Sequence, residues 1–334
     1  MTRPRFIIPG QLLFVTARCV GRTFRFTPTK TVRSILWYCL AAMLQQYEGR
    51  IQMHEFEFMS NHYHFLLTDV AGCLPQFMCD LDSLLARALN AHRGVSGACI
   101  EKGYNAVAVQ DDEKVLQHAV YTLANACSAH LVRRTKHWEG PSSLKYRYGQ
   151  RIEVERPKAG LWAYDDEDDR KKRKRRKREK PMNAERARRR KPSKLPEVAR
   201  FELVRPPVYQ KLDDATLRDE VFTRLDEREL ALIGERREKD FDVIGMKKIL
   251  AQNWWDFPRS REEKLGTTPT VSSSTKWPRI EALAARKAFV EAYRAALEAY
   301  REAMKAGLVP DVVFPHGTWK MRVLHHVRCH PAPT

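Results

Sequence analysis

The 334-residue sequence predicts an α+β fold: a sheet with helices on it over residues 1–150, a charged stretch over 151–200 and a mostly helical extension over 201–334. Three observations point there. Up to residue 150, short stretches in which apolar residues alternate are interleaved with stretches in which they recur at three and four. With 43% hydrophobic and 10% aromatic residues, the chain is able to bury a core. Beyond residue 150 the composition turns to runs of charge, which cannot.

Residues 12–17, LLFVTA, are aliphatic and β-branched and follow the turn pair Pro9-Gly10, so they read as a first strand. Val32, Ile35, Leu36, Cys39, Leu40, Met43 and Tyr47 then mark the inner face of a helix that Gly49 stops. Residues 53–59, MHEFEFM, alternate, with Glu55 and Glu57 on one face and His54, Phe56 and Phe58 on the other. Ser60-Asn61 turns the chain into HYHFLL, which predicts a hairpin. A second helix begins near Pro75 and carries Phe77, Met78, Leu81, Leu84, Leu85 and Leu89 inward. NAVAV at 105–109 is a short strand, and a third helix follows Asp111-Asp112 with Val115, Leu116, Ala119, Leu123, Cys127 and Leu131 on its apolar face. In the extension, residues 213–238 read as a highly charged helix and 266–275 as a polar loop. Residues 280–306 read as an amphipathic helix with Phe289, Tyr293, Leu297, Tyr300 and Met304 on one stripe and Gly307 as its stop.

The net charge of +19 points to a polyanionic partner, nucleic acid first. Most of the excess is local: residues 170–194 hold sixteen Lys or Arg, unbroken from Arg170 to Arg178, against Glu179 and Glu185. Such a stretch buries no core and is expected to be a solvated arm on the DNA backbone. Arg173, Arg175, Arg176, Lys177, Arg188, Arg189 and Arg190 are its candidate phosphate contacts, adding affinity without sequence choice. Arg18 and Arg22, flanking the end of the first strand, are candidate DNA contacts in the domain itself. Seven scattered cysteines with no C-x-x-C pair suit a reduced compartment. No secretory leader and no run of about 18 apolar residues is seen, so a cytoplasmic, nucleoid-associated location is expected and a membrane partner is not.

The motif that carries chemistry is FMSNHYHFLL at 58–67. In a strand, side chains two apart point to one face roughly 7 Å apart along the chain, so His62 and His64 project together. Two imidazoles on one face can grip one divalent cation, Mg²⁺ or Mn²⁺ among them. On the third helix, Tyr121 and Asn125 lie one turn apart on one side, away from the Leu116, Leu123 and Leu131 stripe. A tyrosine is a poor nucleophile at neutral pH, but it can attack a phosphodiester polarised by a metal ion, and Asn125 offers a carbonyl oxygen as a further ligand.

With RFIIPGQLLFVTARCVGRTFRF (5–26), ARALNAHRG (86–94) and YTLANACSAHLV (121–132), this motif resembles the HUH-superfamily single-tyrosine transposases, and among them the REP-associated tyrosine transposases, over residues 1–150. The resemblance implies a ferredoxin-like sandwich with a central antiparallel sheet, and single-stranded or hairpin DNA as partner. It implies a metal held by His62, His64 and Asn125, and Tyr121 as the nucleophile that forms a 5′-phosphotyrosine link. It also allows a homodimer. The family reads Asn-Pro-Val-x-Ala-Gly-Leu-Val where this chain has Asn125, Ala126, Cys127, Ser128, Ala129, His130, Leu131 and Val132. Loss of that Pro and Gly is expected to lengthen the third helix.

Other readings compete. A domesticated protein could bind hairpin DNA without cutting it, and a basic RNA-associated protein would be dominated by its arm. Trp254 and Trp255 are candidates for base stacking or plain packing, and His325, His326, Cys329 and His330 lack the second spaced pair that a zinc site needs. His54 and His118 are expected to be structural or supporting residues.

Overall fold

Strands and helices interleave through the first half of the chain as its periodicities require, in a computed structural model that describes residues 4–159, 195–207, 212–258 and 269–332. Strands β1 (Gln11–Arg18), β2 (Ile51–Phe58), β3 (His62–Asp69) and β4 (Asn105–Val109) are joined by helices α1 (Lys30–Gln46) and α2 (Leu74–Arg93) in the order β1-α1-β2-β3-α2-β4. They lie side by side as β2-β3-β1-β4, each neighbouring pair antiparallel. Helix α3 (Asp112–Ser128) follows.

Local chemistry sets the helix ends. The Thr29 hydroxyl accepts from the Val32 amide at the start of α1, and the Asp111 carboxylate from the Lys114 amide at the start of α3. At α2 the Asp69 carboxylate takes the amides of Cys73 and Leu74 at 2.8 and 2.9 Å, and Gly94 ends the helix in the left-handed conformation.

The sheet has two different faces. Leu13, Val15 and Ala17 of β1 share a side with Tyr63, Phe65 and Leu67 of β3, all buried; the Tyr63 hydroxyl reaches Asp82 of α2 at 2.5 Å. The opposite side carries Phe14, Thr16 and Arg18 beside Leu66, His64 and His62, and α3 lies over it. A bulge between Met53 and Glu55 interrupts the alternation expected in β2. His54 is thereby turned to Thr68, with 2.8 Å from Nε2 to the Oγ1, rather than lining up with Phe56.

Beyond α3, β5 (Arg151–Glu155) and β6 (Val198–Glu202) pair antiparallel and pack on α1, with Ile152, Ala199 and Phe201 in the same core as the sheet. Both ends of the stretch expected as an arm are therefore folded. Its basic centre, with Arg173, Arg175, Arg176, Lys177, Arg188, Arg189 and Arg190, lies outside the described residues.

Helix α4 (Asp214–Glu238) packs on α3 and buries Leu217, Val221 and Leu225. It also inserts Arg218 against Glu55, where Tyr148 and Ser143 hydroxyls donate to the carboxylate at 2.6 and 2.5 Å. This buried knot ties the extension to β2.

The polar loop expected at 266–275 contributes β7 (Val271–Ser272), which pairs parallel with β4. The five-stranded sheet is therefore mixed, not wholly antiparallel; a single apolar residue between Thr270 and Ser272 leaves no period to read. The remaining elements are α5 (Met246–Leu250), α6 (Lys276–Lys305), β8 (Val313–Phe314), α7 (Lys320–His325) and β9 (Arg328–Cys329).

Helix α3 does not lengthen. It stops at Ser128 because His130 takes the left-handed conformation, φ 54°, that glycine usually supplies. The amides of His130 and Leu131 then return to the carbonyls of Cys127 and Ala126 in a Schellman closure.

Candidate active site

The β1–β3 register places Arg18 opposite His62 and Thr16 opposite His64, so both imidazoles stand on the α3 side of the sheet. Their ring centres are 4.9 Å apart and nearly perpendicular. Tyr121 of α3 meets His64 edge-on at 5.5 Å. Phe14 is the hub beneath them, stacked on His64 at 5.2 Å and on His118 at 4.5 Å, with Tyr121 edge-on at 5.6 Å. Tyr121 is half-exposed, at 50%. Three of the four residues singled out for chemistry are thus brought together. Asn125 is buried one turn further along α3, on the side away from solvent.

Hydrogen bonds set the state of the histidines. The Asn61 amide nitrogen donates to the Arg22 carbonyl at 3.1 Å, which turns its oxygen toward His62 Nδ1 at 2.7 Å. An amide oxygen only accepts, so Nδ1 of His62 carries a proton, which in the neutral imidazole leaves the lone pair on Nε2. Nδ1 of His64 lies 2.9 Å from the Thr16 hydroxyl, which can accept the same kind of proton. Burial, with His62, Arg18 and His118 nearby, holds His64 well below the usual histidine range, so it is neutral at physiological pH.

His118 packs on Phe14 and bonds Ser272 of β7 at 3.0 Å; burial takes its pKa down to about 4. It supports the aromatic hub from behind. His54, also brought to about 4 by burial, bonds Thr68 and the Val204 carbonyl and lies away from Tyr121 in the network. Glu57 faces His64 directly across the β2–β3 ladder; its Oε2 is buried without a hydrogen-bond partner, and burial pushes its carboxyl well above the ordinary range.

Two imidazoles on one face, their ring centres 4.9 Å apart, fit a divalent cation of borderline softness, or a harder one that keeps several oxygen ligands from water or phosphate. Among the described residues no group of three His, Cys, Asp or Glu side chains converges.

Sequence reasoning missed Asn61, Thr16 and Phe14 as parts of the site. Asn61 was legible from its place before His62; Thr16 and Phe14 needed the strand register.

No protein-family model matches the chain, and no curated protein matches it. Among solved structures it has a weak structural relationship to a REP-associated tyrosine transposase bound to a REP hairpin, at a TM-score of 0.36 and 14% identity over 43% of this chain and 82% of that one.

Proposed function

We propose that this chain is a metal-dependent enzyme that cleaves and transfers single DNA strands at hairpins, with the four antiparallel strands and their two helices as a ferredoxin-like HUH core. The observation that carries the reading is the convergence of His64 and Tyr121 on Phe14, with His62 beside His64. His62, His64 and Asn125 would hold Mg²⁺ or Mn²⁺, and a cation bound there would supply Lewis-acid polarisation of the scissile phosphodiester.

Tyr121 acts as nucleophile. Its phenolic oxygen bonds to phosphorus, the bond from phosphorus to the 3′-oxygen breaks, and the phenolic proton ends on that oxygen. The products are a 5′-phosphotyrosine link and a free 3′-hydroxyl, which can reverse the step on another strand without a separate energy source. Arg18, opposite His62, supplies positive charge beside the substrate phosphate. Half-exposure of Tyr121 suits attack on a bulky polymer. In the cell such chemistry serves DNA transposition and the mobilisation of short repeats.

The test is incubation with a library of labelled hairpins and Mn²⁺ or Mg²⁺, followed by a denaturing gel. Labelled DNA should stay with the protein, and the band should vanish with EDTA and in Tyr121→Phe. Hairpin binding without any such band would leave a DNA-binding protein and sink the enzyme reading.

A further inference from the structure

We propose that the C-terminal extension forms one wall of a track for single-stranded DNA that leads to the histidine pair; the proposal rests on the DNA-cleaving reading of that pair. Between the end of β1 and helices α6 and α7 runs a cleft of about 840 Å³. Thr16, whose hydroxyl lies 2.9 Å from His64 Nδ1, and Arg18, paired with His62, line it, so one end of the cleft lies beside the candidate active site.

Its chemistry is that of a single-strand track. Arg5, Arg18, Lys102, Arg286, Arg301 and Lys320 line it, with Glu101 as the carboxylate among the lining residues. Among the described residues no ion pair engages Lys102, Arg301 or Lys320, and all three are exposed. Half-buried Tyr104, Tyr293 and Trp319 also line it, the Tyr104 ring covered by the Arg5 guanidinium at 3.6 Å and Tyr293 packed near Phe289 and Phe314. Basic groups with aromatic side chains among them suit a single strand, whose bases are free to stack.

The extension's share of the wall is held in place. Arg286, Tyr293, Leu297 and Arg301 fall on one side of α6, which is anchored where Phe289 stacks on Phe6 at 4.6 Å. Phe6 bridges to Thr318 just before Trp319 and Lys320, and at Gly317 an added Cβ would lie 2.5 Å from the Phe6 ring, so glycine is required for that approach. Pro269 and Thr270, just before β7, line the cleft too, held by the pairing of β7 with β4.

The experiment measures fluorescence anisotropy of the full chain with a blunt DNA hairpin, the same hairpin with a single-stranded DNA tail, and one with an RNA tail, over a range of salt. The wild type should bind the DNA-tailed hairpin more tightly than the blunt one. The triple variant Lys102→Ala, Arg301→Ala, Lys320→Ala should lose about tenfold or more of that tail-dependent affinity and about 2 of the salt slope, while its binding to the blunt hairpin holds. The basic stretch at 170–194 is common to both proteins and cancels. An unchanged tail effect in the variant, no tail effect in the wild type, or an RNA tail bound as well as DNA would each overturn the proposal. A wild type that forms no covalent adduct yet loses tail affinity in the variant would leave the track standing and the cleavage reading refuted.

Discussion

Asn61 offers the sharpest perturbation of the site that leaves every proposed ligand in place. Its amide nitrogen is held by the Arg22 carbonyl and its oxygen receives the proton of His62 Nδ1 at 2.7 Å. In Asn61→Ala both bonds go, and the Asn61 acceptor that holds the proton on Nδ1 is lost; whenever the proton moves to Nε2, the lone pair proposed for the metal is lost. Removing a partner that orients a ligating histidine costs 10–100-fold in metal affinity, or about 1.4–2.7 kcal/mol. Asn61→Asp keeps an acceptor for Nδ1 and should recover most of the loss. Mn²⁺ titration followed by electron paramagnetic resonance reads the affinity, and a thermal melt checks that Asn61→Ala is folded. Asn61→Ala binding Mn²⁺ as tightly as the wild type, in a series where His64→Ala abolishes binding, would refute the tautomer argument.

Three further outcomes follow from the same structure. Arg218→Ala leaves Glu55 buried with its countercharge removed and should cost about 3–5 kcal/mol in urea unfolding, whereas Arg218→Met with Glu55→Gln should cost far less; a single variant within 1 kcal/mol of wild type would contradict this. His54 binds its proton less readily folded than unfolded, so stability is complete above the ordinary histidine pKa and falls as pH drops from about 6.5 toward 4, by about 3 kcal/mol. Urea midpoints at pH 7 and 4.5 should separate accordingly, and His54→Gln should narrow the gap. Phe14→Leu removes three buried carbons and should cost about 1–3 kcal/mol while still folding, but without the ring that seats His64 and Tyr121 its adduct yield should fall; full yield in the folded variant would remove Phe14 from the site.

The elements with a clean period were legible in the sequence: β1, α1, the β2–β3 hairpin, α2 and α3 all form where apolar spacing and turn residues place them. So was the shared face of His62 and His64, because strand alternation alone decides it. What escaped depended on contacts far apart in the chain. The bulge that turns His54 to Thr68 has no local signature in MHEFEFM, and β7 exists only because β4 offers it an edge. Loss of the expected Pro and Gly after Asn125 suggested a longer helix, yet His130 adopts the left-handed turn itself, its ring packed on Phe241 at 4.6 Å. The charged look of α4 likewise concealed Arg218, whose partner Glu55 lies 163 residues away.

Mass spectrometry of the protein–DNA product after protease and nuclease digestion tests the central claim most directly. The account predicts a nucleotide phosphate on the peptide that contains Tyr121, formed only with a divalent cation present. A modification on any other residue, or none across the hairpin library with either Mg²⁺ or Mn²⁺, would contradict it.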